Sequence, residues 1–316
     1  MGGVRQPDAK IVKMSDEDYF ADKRIGRSDI FAYHKSPAFY KAKLDGEIEP
    51  ASSPAMFFGS AFHAMVLEPE EFSSRYRVSE STSKTSKAYK SEQELARSEG
   101  AQLITSHDYA TMVKMRKSCM EHDFFKSRLE DSDSLKENVI LFDLMGVPAK
   151  AKVDLLAGSA IVDLKTSASA DPEDFRGSLL KYGYHWQSFW YKQAAAAVGI
   201  DCEFYFAVIS KSAPHEFSII KLSSDYDELA EEEISSAIEG ISMGRYESKW
   251  KGAVFTLSPR GWETRRREYD ADVDPGEEST CGWCEDRYLR KGMGDDCDKC
   301  GMMLCGPECL DIHECG

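Results

Sequence analysis

The sequence predicts an α/β (α+β) protein, a core of strands wrapped in helices, followed by a small module folded around metal. Three observations carry that reading. Apolar residues recur at helical spacing in several segments up to about residue 125. From about residue 136 the period changes to two. Seven of the nine cysteines fall between 281 and 315, in paired spacings that suit metal better than disulfides.

Composition narrows the classes further. With 316 residues and 42% hydrophobic content, the chain can build one large domain with a satellite. The opening "MGGVRQPDAKIVKMSDEDYF" lacks the apolar run of a signal peptide, and no stretch has the roughly 18 apolar residues of a membrane helix, so a cytoplasmic protein without a membrane is expected. The net charge of −15 argues against patch-driven adhesion to nucleic acid, so any such function must come from specific residues.

Taken in order, "SDIFAYHKSPAFYKAKLDG" (28–46) reads as two short helices, with Ser28 as N-cap, a Ser-Pro break and a stop at Gly46. "PAMFFGSAFHAMVLEP" (54–69) begins and ends on proline and has Phe58, Phe62, Met65 and Val66 at helical spacing, which predicts a buried helix. Residues 79–100 predict an exposed loop and a polar helix. Residues 106–125 predict an amphipathic helix with Met112, Met115 and Cys119 on one side. "KENVILFDLMG", "VPAKAKVDLLAG" and "SAIVDLKT" then form a three-stranded antiparallel meander. A helical stretch from Asp171 to Gly199, strands at 202–210 and 215–222, and an acidic helix from about Asp225 to Met243 complete the core. Residues 1–259 are expected to form this domain, 260–280 a linker and 281–316 the cysteine-rich module.

The hairpin "KVDLLAGSAIVDLKT" (152–166) is where chemistry is expected. With 157–160 as the loop, Leu156 pairs with Ile161, Leu155 with Val162, Asp154 with Asp163 and Lys152 with Lys165. Alternation then puts Val153, Leu155, Val162 and Leu164 in the core and the two acids with the two lysines on the opposite face. Carboxylates directly opposed across strands repel. A hard divalent cation would relieve that repulsion, and the adjacent lysines could hold a phosphate or a water. His63, among the small residues Gly59, Ser60 and Ala64, leaves room for an approaching metal or sheet. In "YHWQSFWY" (184–191), Gln187 and Tyr191 share a helix face.

Taken together, "SDIFAYHKSPAFY", "FGSAFHAMVLEPEEF", "AKVDLLAG", "IVDLKTS" and "YHWQSFWYKQAAAAVG" resemble the PD-(D/E)xK nuclease superfamily. Within it they resemble the RecE-type exonucleases (exonuclease VIII), over residues 25 to 255. The resemblance implies a restriction-endonuclease-like core with a mixed sheet flanked by helices. It also implies His63, Asp154, Asp163 and the Leu164 carbonyl as ligands of Mg²⁺ or Mn²⁺, and Lys165 as the catalytic lysine. Gln187 and Tyr191 match the QxxxY motif that positions DNA, and Lys152 stands beside the site as a further DNA-binding residue. Asp163 stands where many relatives have Glu.

The implied activity is 5′-to-3′ resection of linear double-stranded DNA, leaving 3′ single strands, by a ring-shaped homo-oligomer. It would work from DNA ends with a single-strand annealing protein in a bacterial host, as a phage or prophage product. Other PD-(D/E)xK nucleases, acting in repair or defence, and a catalytically inactive binding protein remain as alternatives.

The tail offers Cys281, Cys284, Cys297, Cys300, Cys305, Cys309, His313 and Cys315, enough for two tetrahedral Zn²⁺ sites. One cross-brace pairing puts Cys281, Cys284, Cys305 and Cys309 on one ion and the other four ligands on the second. An iron–sulfur cluster, drawing on Cys119 or Cys202, is the rival. "CDKCGMMLCGPECLDIHE" resembles the cysteine-rich module of piggyBac-type transposases and, more loosely, RING- and PHD-like fingers. With ten acidic against four basic residues over 277–316, it suits a protein contact better than phosphate.

Overall fold

The computed structural model describes residues 6–48, 53–81, 85–248 and 250–258, together with four short strands between 278 and 304. Residues 1–251 and 252–316 form two separate units.

In the first unit, β1 (Lys10–Val12) and α1 (Asp16–Ala21) precede α2 (Arg27–Lys35) and α3 (Pro37–Leu44). The N-cap of α2 is Gly26 rather than Ser28, because the Asp29 carboxylate reaches back to accept from the Gly26 N–H at 2.8 Å. Ser36 caps α3, whose first residue is Pro37, as the Ser-Pro break suggests.

Next come α4 (Pro54–Leu67), α5 (Pro69–Arg75), β2 (Tyr76–Val78), α6 (Lys87–Ser98), β3 (Gln102–Ile104), α7 (Ser106–Glu121) and α8 (Asp123–Leu129). The meander is β4 (Leu135–Leu144), β5 (Val147–Ala157) and β6 (Ala160–Ser167). It leads into α9 (Pro172–Leu179), α10 (Tyr184–Ala197), β7 (Glu203–Ser210), β8 (Phe217–Ile220) and α11 (Ser224–Ser242). The stretch predicted as continuous helix after Asp171 is therefore two helices. Gly183, at φ +63°, makes the break, and a Cβ there would lie 2.3 Å from Trp186.

The main sheet has the order β1-β4-β5-β6-β7-β8. It is mixed: β6 and β7 run parallel, joined through α9 and α10, and the other neighbours are antiparallel. Both faces are covered. On one, residues of α2, α9, α10 and α11 pack with Val153, Leu156, Ile161 and Phe206. On the other, residues of α4, α7 and α8, Met112, Met115 and Cys119 among them, pack with Leu155, Val162, Leu164 and Ala207. Among the described residues no helix is long and apolar enough to cross a membrane.

In the second unit, β9 (Glu278–Thr280) pairs antiparallel with β10 (Arg287–Leu289), and β11 (Asp295–Asp296) with β12 (Met303–Leu304). The end of the stretch expected as linker is thus strand. The expected zinc ligands, Cys281, Cys284, Cys297, Cys300, Cys305, Cys309, His313 and Cys315, lie outside the described residues.

Candidate active site

The register read from the sequence holds for Leu156↔Ile161 and Leu155↔Val162; Ala157↔Ala160, expected in the loop, adds a third pair, and beyond Leu155↔Val162 the strands part. β5 stays with β4 and β6 stays with β7. Where the ladder would continue, the Asp154 carboxylate takes the place of a backbone acceptor and receives the Leu164 N–H on Oδ2 at 2.9 Å. Asp154 and Asp163 are therefore not a directly opposed cross-strand pair, and Lys152 does not pair with Lys165.

The alternation also breaks here. Val153 packs with Leu156 and Ile161, not with Leu155, Val162 and Leu164 as the simple period required. Opposite Asp154 on β4, Glu137 sits at φ +51°, a left-handed conformation that a glutamate adopts at a cost of about 1–3 kcal/mol. The β4–β5 ladder pairs Lys136 with Leu155 and Asn138 with Val153, passing over the Glu137 and Asp154 positions between them.

This local twist brings Glu137 and Asp154 together with His63 of α4, so that one ligand atom from each lies within 4.8 Å of the others. His63 Nδ1 is 3.4 Å from Asp154 Oδ2. Gly59, one turn earlier, faces Thr166 Oγ1 without a side chain in between, which lets α4 approach β6. Burial pushes the Asp154 carboxyl well above the usual carboxylate range, and the negative charges of Asp163 and Glu137 add to the shift. Burial pulls the His63 imidazole below its ordinary value, so the neutral, metal-ligating form is favoured.

Asp163 is 1% exposed and approached from the other layer. Its Oδ1 accepts from Gln187 Nε2 of α10 at 2.5 Å, and its Oδ2 has the Lys165 ammonium as its ion-pair partner. Gln187 is itself oriented by Arg27, whose Nη2 donates to Oε1 at 3.0 Å. Lys165 lies over the Tyr184 ring, 5.3 Å from its centroid. Tyr191, one turn beyond Gln187, packs edge-on against Phe204, and burial raises its phenol far above the ordinary value.

Most of the lysines near the sheet and α10 are engaged by other groups. Lys152 is held between Asp16 (2.5 Å) and Glu137 (2.7 Å), Lys150 donates to the Tyr19 and Asp22 carbonyls, and Lys192 pairs with Asp227. Lys152 therefore fixes a carboxylate of the cluster and does not share a face with Lys165. Lys181 stays exposed.

These observations meet a comparison with known proteins. The profile of a PDDEXK-like domain of unknown function matches residues 27–252. The chain belongs to the PDDEXK-like family. The crystal structure of a candidate exonuclease from Eubacterium rectale superposes with a TM-score of 0.55 at 17% identity, covering 80% of this chain and 98% of that one. The PDDEXK-like fold, a mixed sheet between helical layers, is thus the fold of this chain. No curated protein sequence matches it.

In this PDDEXK-like chain the structure brings His63, Asp154, Asp163, Lys165 and Gln187 close together along β5 and β6. Glu137 was missed. Its only signal was a glutamate opening a strand, "KENVILFDL", and nothing in the period announces a left-handed residue at that position.

Proposed function

We propose that this chain is a divalent-metal-dependent DNA nuclease, working as a 5′-to-3′ exonuclease of the RecE type on linear duplex ends. The observation that carries the reading is the His63–Glu137–Asp154 cluster, set one strand away from the Asp163–Lys165 pair. Two carboxylates and a neutral imidazole within 4.8 Å suit Mg²⁺ or Mn²⁺, and a cation would offset both the burial that raises the Asp154 carboxyl and the repulsion from Asp163 and Glu137 that adds to it. Asp163 and the Leu164 carbonyl are the remaining proposed ligands.

When bound, the metal supplies Lewis acidity toward the scissile phosphate and lowers the pKa of a ligated water. The protein's own groups do the rest. In this reading Lys165, ion-paired with Asp163 and lying over the Tyr184 ring, orients the attacking water through its ammonium. Gln187 and Arg27 hold Asp163 in place, so the lysine's position is set by packed helices rather than by a loop. The expected product carries a 5′ phosphate.

A single-strand annealing protein as partner, a ring-shaped homo-oligomer and a zinc-folded tail that contacts protein belong to the same proposal. The partner and the ring rest on the sequence resemblance, and the zinc-folded tail rests on its cysteine spacing and acidic charge.

Digestion of end-labelled linear duplex with Mg²⁺, beside a closed circular control, tests the reading. Mononucleotides released from 5′ ends support it. Cleavage of circles replaces it with an endonuclease, and no turnover with any divalent metal replaces it with a binding protein.

A further inference from the structure

The turn between α9 and α10 adjoins the candidate site without belonging to the residues that build it. Leu180, Lys181 and Tyr182 are all exposed, Leu180 at 58% and Tyr182 at 44%. A single exposed aromatic carries no message. Here the surroundings differ.

The turn is held by backbone hydrogen bonds from Tyr182 N to Ser178 O (3.0 Å) and from Gly183 N to Leu180 O (3.2 Å). Gly183, pressed against Trp186, fixes its exit. The Tyr182 ring centroid is 5.7 Å from that of Tyr184, and Tyr184 in turn carries Lys165 over its face. Lys181 Nζ sits 5.4 Å from the Tyr182 centroid. A continuous aromatic track thus runs from solvent to the catalytic lysine, with a cation at each end.

A π-face beside a cation is the chemistry that receives a nucleobase together with its phosphate, and base stacking on an aromatic tolerates any sequence. We infer that Tyr182 stacks on a nucleobase of the strand whose phosphate is cut at Lys165, and that Lys181 contacts a neighbouring phosphate. The inference rests on the nuclease reading and adds a substrate-binding residue to it.

Three proteins test it: wild type, Tyr182→Ala and Tyr182→Phe, each checked for an unchanged melting temperature. The probe is a duplex oligonucleotide with 2-aminopurine at its 5′-terminal nucleotide, read by fluorescence for binding and by product release for turnover. Wild type and Tyr182→Phe are expected to quench the probe on binding. Tyr182→Ala is expected to lose the quench and to raise KM about tenfold, with kcat within about twofold. In Lys181→Ala, the dependence of binding on salt should fall by about one phosphate contact.

A wild type that digests DNA while Tyr182→Ala matches it in quench and KM overturns this inference alone. A wild type that neither binds nor cuts the duplex overturns the nuclease reading and this inference with it.

Discussion

The Leu164 backbone N–H donates to the Asp154 side chain at 2.9 Å, where a neighbouring strand would have offered a carbonyl. One carboxylate therefore completes the hydrogen bonding of a parting pair of strands and also belongs to a crowded acidic cluster. These two duties can be separated by mutation. Asp154→Asn keeps an acceptor for Leu164 and removes a charge that Asp163 and Glu137 disfavour. It should melt at or above the wild-type temperature in metal-free buffer while losing at least about 100-fold in cleavage. Asp154→Ala loses the acceptor as well and should be less stable than Asp154→Asn by about 1–3 kcal/mol. Thermal melts of the two variants, run beside the digestion assay, check both halves.

Lys152 separates two roles in a different way. As a DNA contact, its loss would weaken DNA binding alone. Held as it is between Asp16 and Glu137, its loss should release Glu137 and weaken metal binding. Lys152→Met is expected to lower Mn²⁺ affinity about 10–100-fold by titration calorimetry without DNA present. An unchanged affinity would return the residue to the DNA interface.

Acid should loosen the helical layer around α10. Burial lowers the His185 imidazole below its ordinary value of 6.5, despite the 2.8 Å contact of Nε2 with Glu233. A histidine depressed in the fold takes up protons more readily once unfolded, so its contribution is intact above about pH 6.5 and is lost as pH falls toward the folded value. Glu233, held below 4.5 by its bonds to His185 and Trp186, adds a loss of the same sign at lower pH. Melting temperature should therefore drop between pH 7 and 5, and the drop should be shallower in His185→Gln.

Gly183→Ala should be destabilising by about 2–3 kcal/mol. The substitution combines a left-handed φ with a Cβ 2.3 Å from the Trp186 ring, which is itself anchored by its indole N–H to Glu233 (2.6 Å). Urea unfolding measures the loss. A change below about 0.5 kcal/mol would show that the turn relaxes freely.

For the tail, elemental analysis of the purified chain should find about two zinc ions, and iron in their place would overturn the cross-brace assignment.

Much of this architecture could be read from residue order, for a physical reason. The meander, the hairpin register up to Leu155↔Val162 and the buried helix around Phe62 are local patterns, in which period and turn chemistry decide the outcome. What escaped reading is non-local or anti-periodic. Glu137 enters the cluster through a left-handed twist that reverses its side chain. Val153 crosses to the other layer because the strand bends at Asp154. Lys150 and Lys152 spend their charge on carbonyls and a carboxylate of α1 and its flanks, more than a hundred residues away, and Lys152 also on Glu137 of β4.

The brevity of the β5–β6 ladder restricts how the gene could be engineered. Only three pairs separate the Gly158 turn from the point of divergence, so the tip of this hairpin is no neutral splice point for a tag or reporter peptide. An insertion that slid β6 along β5 would change the offset between Asp154 and Asp163 and disturb the centre before it disturbed the fold.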